Sequence, residues 1–345
     1  MFKPNFRYTN TIVKNLTHIA GAQAVIANAP LIPKWQVSLR QEALIQSAHS
    51  STAIEGNPLT LDEVSELAAG REIMVNRKDK QEVLNYLEAL ERIPEFAKKR
   101  PLKESDLLKI HKLVVKDTLD FTDDEGTFRN RQVVVRNRAT GRVTFMPPET
   151  EEVLLLVDDF LKWFKSSDAV ELDPVLHAGI THYEIVRIHP FIDGNGRTAR
   201  IMASLVFYIR GFDVKRFFAF DDYYDNDRKA YYDALKTVDP KKRNLTAWLE
   251  YFSEGVAVSV EAIRKRVIGL SKDIKILKQK EQIGLSGKQM MIVERIIIKG
   301  SITNREAREL FGISDEGIRK EIKKLIESGV LSKVGEGRST HYVLS

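Results

Sequence analysis

The chain has 345 residues, 43% of them hydrophobic and 30% charged, with a net charge of +6. That length can bury two or three cores, and the composition is that of an ordinary globular protein. Cysteine is absent, which excludes disulfides and thiolate metal sites. No run of about eighteen apolar residues and no apolar signal core occur, so a cytoplasmic protein without a membrane partner is expected.

Most of the sequence reads as helix. Lys34 to Ala53 is amphipathic, with Val37, Leu44, Ile45 and Ala48 on one side, and it stops before Gly56-Asn57-Pro58. Thr60 is an N-cap, with Glu63 three positions on in a capping-box arrangement. A long helix is predicted from about Asp79 to Ile93, and another near Asp106 to Lys116 capped by Ser105. Gln132 to Arg136 and Val143 to Met146 are short β-prone runs around Asn137 to Arg142. They predict a β-hairpin ended by Pro147-Pro148. Asp173-Pro174 opens a helix leading to His189.

The stretch from His189 to Arg200 carries the chemistry. It reads His-Pro-Phe-Ile-Asp-Gly-Asn-Gly-Arg-Thr-Ala-Arg. Gly194 and Gly196 allow a sharp turn whose amides can face one anion. The apolar run Ile201, Leu205, Val206 and Ile209 predicts a helix after the turn, so the anion would also meet a helix N-terminus. Arg197 and Arg200 are three apart and can reach one polyphosphate. Asp193 is placed to hold Mg²⁺ against that polyphosphate. His189 is the strong general-base candidate nearby.

Beyond it, a helix is predicted from about Val256 to Lys280, with Val260, Ile263, Val267, Leu270, Ile274 and Leu277 on one stripe. Glu281 to Gly287 reads as a linker. Lys288 to Lys299, Thr303 to Phe311 and a helix capped by Ser314 then precede two short strands, Val330 to Val334 and Thr340 to Leu344. Gly335 to Arg338 lies between them. Charge is uneven: residues 256–345 carry +7 and the first 255 residues carry −1. A basic surplus confined to the last quarter invites a nucleic-acid reading there alone. Arg319, Lys320, Lys323, Lys324 and Arg338 would make those contacts. Three helices and two strands resemble a winged helix-turn-helix, a fold that binds either DNA or protein.

The stretch from His189 to Arg200 resembles the signature of the Fic family, His-x-Phe-x-Asp-Gly-Asn-Gly-Arg-x-x-Arg, with every defining position filled. Gly126-Thr127-Phe128-Arg129 is similar to a further family feature. The resemblance covers roughly residues 1–280. It implies a mainly α fold, a Fic-type helical bundle with a β-hairpin flap, followed by the C-terminal winged-helix domain. Residues 1–100 would form an N-terminal helical region, 101–255 the catalytic core, 256–284 a connecting helix and linker, and 285–345 the winged helix.

The activity implied is transfer of AMP from ATP, with Mg²⁺, to a Ser, Thr or Tyr hydroxyl of a target protein or of the chain itself. His189 would take the hydroxyl proton. Asn195 and the amides of Gly194 and Gly196 would hold phosphate oxygens, and Tyr231 and Tyr232 would line the base pocket. The flap residues Val143, Thr144 and Phe145 would align the target peptide. Ser51 to Gly56 is similar to the family's inhibitory pattern, in which Glu55 would pair with Arg200 and keep out the γ-phosphate. Two other readings stay open: a DNA-binding regulator whose Fic-like part senses nucleotide, and removal of AMP with Glu55 positioning a water. The target and the oligomeric state, homodimer included, are not fixed by the sequence.

Overall fold

The computed structural model describes residues 2–29, 31, 33–98, 101–136, 141–212, 216–276, 285–311 and 314–345; residues 271–276, 294, 297–298, 311 and 338 are described in backbone only. The first part is helical: α1 (Asn10–Asn28), α2 (Pro33–Ile54), α3 (Leu61–Ala68), α4 (Arg77–Glu91), α5 (Ile93–Lys98) and α6 (Glu104–Val115). The capping box of Thr60 and Glu63 is formed at α3. At α6 the expected cap at Ser105 is corrected. The helix starts two residues earlier, and the Asp106 carboxylate accepts from the Lys103 amide. An acid at the third position satisfies an orphan amide as well as a serine at the start does.

The hairpin is shorter than its β-prone runs. Its strands are β1 (Val135–Arg136) and β2 (Val143–Phe145), antiparallel, with a register shift between Val135 and Arg136. Residues 137–140 of the expected turn lie outside the described residues. Helices α7 (Val153–Phe164), α8 (Ser167–Glu171), α9 (Pro174–Ile188), α10 (Asn195–Ile209), α11 (Asp221–Asn226), α12 (Arg228–Lys236) and α13 (Thr246–Ile276) follow. Helix α13 begins ten residues before the predicted start, because Glu250 and Glu254 interrupt the apolar pattern around the buried face of Trp248, Leu249 and Phe252.

Helices α9 and α10 sit at the centre, each buried on nearly every face. Their buried positions include polar and charged side chains as well, among them His182, Glu184, Arg197 and Arg200. Gly179 sets the approach of α13. A β-carbon there would lie 2.9 Å from Leu249 and Phe252, and the Gly179 carbonyl accepts from the Trp248 indole at 2.8 Å.

The last part holds α14 (Gly287–Lys299), α15 (Asn304–Phe311) and α16 (Asp315–Glu327), then β3 (Leu331–Val334) and β4 (His341–Leu344). The two strands pair antiparallel, and Ile302 bridges to Tyr342. These elements bury their own cluster, including Ile292, Ile296, Ile318, Ile322 and Leu325. Val37 of α2 belongs to the same cluster, and Leu44 packs against it. Among the described residues no helix is long and apolar enough to cross a membrane.

Candidate active site

The loop between α9 and α10 puts the reactive groups into one cleft of about 640 Å³. Ile54, Glu55, Val135, Thr144, His189, Asp193, Asn195, Gly196 and Tyr232 are among its lining. His189 caps α9 in the left-handed region at φ 51°. Its Nδ1 faces the Val186 carbonyl at 3.2 Å. A carbonyl can only accept, so Nδ1 carries the proton and Nε2 keeps its lone pair. Burial lowers the His189 pKa, so the ring is neutral at pH 7.

Gly194, at φ 75°, is the N-cap of α10. Any side chain there would be strained and would strike Val115, 2.4 Å from the ideal β-carbon. The first amides of α10 have no partner within the helix and open on the cleft. Asp193 is exposed to the cleft. Its Oδ1 accepts from the Gly194 amide at 2.5 Å and lies 3.6 Å from Arg197. Burial would raise its pKa, but Arg197, the Gly194 amide and Lys78 lower it overall, so it is a carboxylate near neutrality.

Arg197 and Arg200 are both buried. Arg197 sits between Asp193 and Glu82, the latter at 3.5 Å. Asn57 holds Glu82 by a 3.0 Å hydrogen bond. Arg200 donates through Nε to Ser51 Oγ at 2.6 Å, and through Nη2 to the Ser51 carbonyl at 2.8 Å and to Glu55 at 2.9 Å. Arg197 Nε and Nη1 and Arg200 Nη1 have no hydrogen-bond partner among the described residues. The Glu55 carboxylate lies against Gly196: a β-carbon on that glycine would be 2.2 Å from Glu55 Oε1.

Asn195 accepts from the Phe191 amide and donates one of its two N–H groups to the Phe191 carbonyl, each at 3.0 Å, which shapes the turn, and it also lines the cleft. The expected place of Tyr231 in the base pocket is corrected. Tyr231 is fully buried, with its hydroxyl 3.2 Å from His182. It belongs to the core, while Tyr232, one residue on, lines the cleft and donates to the Ile54 carbonyl at 3.3 Å. On the hairpin, Val143 and Thr144 are exposed, and Phe145 lies 6.4 Å edge-on from the His189 ring.

Residues 101–207 match the Fic/DOC family. They form a Fic domain. A protein adenylyltransferase Fic from Nematostella vectensis is 32% identical over 195 residues, covering 54% of this chain and 43% of that protein. The chain therefore spans less than half the length of that relative. Among solved structures, a Fic family protein from Desulfovibrio desulfuricans has a TM-score of 0.66 at 23% identity, covering 100% of this chain and 98% of that one. A Fic domain containing signaling protein from Bacteroides thetaiotaomicron has a TM-score of 0.61 at 24% identity, covering 75% of this chain and 97% of that one. At these identities the likeness shows the fold.

The surroundings of the site hold residues that motif reading passed over. His111 stacks on Phe191 at 3.7 Å, with its Nε2 3.0 Å from the Asp193 carbonyl and its Nδ1 accepting from the Gly126 amide at 3.0 Å. Asp221, fully buried, stands 3.9 Å from Arg200. Burial pushes its pKa up to about 7, against the opposing pull of Arg200. Its folded pKa thus exceeds its unfolded value. The folded state binds the extra proton, so this contribution to stability is lost as pH rises toward 7. Asp221→Asn should therefore gain on the wild type as pH climbs from 5 to 8, by a few degrees in Tm. His111 and His177, whose pKa values burial lowers to about 4 and about 3, act in the opposite sense below pH 6.5 in both proteins. A Tm difference that stays flat across that range would refute the role given to Asp221.

Proposed function

We propose that this chain transfers AMP from ATP to a hydroxyl of a protein. The observation that carries the reading is one cleft holding a neutral histidine and a helix N-terminus, with Arg200 buried beside the Gly196 that lines it. The curated relative's name points the same way. The triphosphate would lie along the N-terminus of α10, where amides and dipole favour an anion. The hydroxyl oxygen of the acceptor attacks the α-phosphorus as its proton passes to His189 Nε2. The bond from the α-phosphorus to its bridging oxygen breaks, and pyrophosphate leaves. Positioning and fixed charge do most of this work, as phosphoryl chemistry demands.

Mg²⁺ fits the residues present. No group of three or more acidic or histidine ligands occurs among the described residues. That suits a cation held by one carboxylate, waters and substrate phosphates. Asp193 would hold it, and the ion would neutralise charge on the α- and β-phosphates. The β2 strand, open on its outer edge, would receive the acceptor segment by strand addition. Glu55 would restrain the reaction by occupying Arg200. The test is incubation with ATP labelled at the α- or γ-phosphate. Label from the α-position alone supports AMP transfer, and label from the γ-position alone replaces it with a kinase-like reaction.

The C-terminal elements support a second binding reading, contact with DNA through α16. Arg319, Lys320, Lys323 and Lys324 are exposed there. Three of them already face carboxylates: Arg319 pairs with Asp315, Lys323 with Glu327 and Lys324 with Glu321. These are exposed pairs worth little, so phosphate can displace them. The side chain of Arg338 lies outside the described residues. Binding through four cations predicts a log–log salt slope of about −4. A fluorescence titration of mixed duplex DNA should show it, and Arg319→Ala with Lys320→Ala should flatten the slope by about 2. No binding at ~50 mM salt would leave α16 as a protein-docking face.

A further inference from the structure

We propose that Arg129 is a positioning residue that sets the flap against the general base, and so controls how the acceptor hydroxyl meets His189. The inference rests on the AMP-transfer reading and deepens it. Arg129 is 4% exposed, and each of its hydrogen-bond acceptors among the described residues is an uncharged oxygen. A buried guanidinium with that setting is costly to keep. Its geometry accounts for its presence.

One side of Arg129 holds the catalytic turn. Its amide donates to the Pro190 carbonyl at 2.9 Å, and its Nε donates to the His189 carbonyl at 2.9 Å. His189 is a non-glycine residue in the left-handed region, a conformation that persists only where neighbours impose it. The two bonds fix the carbonyls on either side of the Pro190 peptide. The other side of Arg129 holds the base of the hairpin. Nη1 donates to Gln132 Oε1 at 2.9 Å and to Thr150 Oγ1 at 2.8 Å, and Nη2 donates to the Pro148 carbonyl at 2.5 Å. Gln132 in turn donates to the Pro147 carbonyl at 3.1 Å. Entry and exit of the flap are therefore tied to one planar group.

Strands of two and three residues have little stability of their own. Their height over the cleft is set at the base, where Arg129 is. The phosphate side is built from other parts, the amides of α10 with Arg197 and Arg200. Arg129 touches none of these among the described residues, so it acts on the acceptor and not on ATP. Only a fork with several fixed donors can serve both sides at once. Lysine keeps the charge and loses the fork.

The experiment compares the full chain carrying Glu55→Gly with the same chain also carrying Arg129→Lys. Transfer from α-labelled ATP should fall roughly 10- to 100-fold, the loss expected from a misplacement near 1 Å. The ATP dissociation constant, read by calorimetry, should stay within about threefold. Hydrogen exchange should rise at residues 141–148 and stay unchanged at 195–209. An unchanged transfer rate overturns the proposal. So does a matching loss of ATP affinity, which would mark a general structural role. If the Glu55→Gly parent transfers no AMP, the transfer reading fails. The exchange data then decide on Arg129 alone, and unchanged flap protection overturns it.

Discussion

Glu55→Gly should raise AMP transfer to the protein itself by on the order of 100-fold. Arg200, buried beside Gly196 at the edge of the cleft, is held by Glu55 at 2.9 Å, and the Glu55 carboxylate lies over Gly196. A triphosphate reaching for that guanidinium meets a negative charge in its path. Couplings between two occupants of one site run about 1–3 kcal/mol, and each 1.4 kcal/mol is tenfold. Glycine removes the carboxylate and leaves Arg200 its two bonds to Ser51 and the nearby Asp221. The fold should therefore survive. Arg200→Ala should not mimic the activation, since it removes the phosphate ligand as well. Labelling that stays at the wild-type level would sink the inhibitory role. If wild type strips AMP from a modified protein and Glu55→Gly does not, the cleft runs in the removing direction.

His189→Ala, placed in the Glu55→Gly protein, should cut transfer by ~10²–10⁴ and leave ATP affinity within about twofold. The ring is oriented by Val186 through Nδ1, and in the proposed reaction Nε2 would serve the acceptor and not the phosphates. Burial holds its pKa below the usual 6.5. The rate should be flat from pH 7 upward and should fall as pH drops through that lowered pKa, where the ring takes a proton and cannot accept another. Removing Glu55 removes a negative charge that favours the imidazolium, so the fall should move further to acid in the variant. A mutant working at the parental rate ends the base assignment. A rate that instead falls above pH 7 would place an acid, not a base, at this position.

The site was legible where one short stretch of sequence makes one turn of structure. Gly194, Arg197 and Arg200 follow from local rules, because a glycine turn and helical spacing fix where the backbone and the guanidinium groups go. Longer-range facts were not legible. Nothing local says that Asn195 closes back on Phe191, or that Tyr231 turns inward to His182 while Tyr232 meets the cleft. The roles of Arg129, His111 and Glu82 come from residues 60 to 115 positions away from their partners. The fold shows the same division. The capping box at Thr60 and the start of α9 at Asp173-Pro174 are local, and both formed as read. The hairpin fell short because β-branched runs report propensity, whereas pairing stops where the strands diverge.

Helix α2 reaches two places at once. Near its start Val37 lies in the cluster of the C-terminal helices, and just past its end Glu55 meets Arg200. Its 22 residues make a rod of about 33 Å. A chain cut at the predicted linker would keep the rod and lose its socket, leaving Val37 facing water. The shortened protein would then not report the resting state of the whole. Its Glu55 would hang from a helix braced at one end only, and any difference in activity between the two forms would measure that bracing together with the loss of the basic segment.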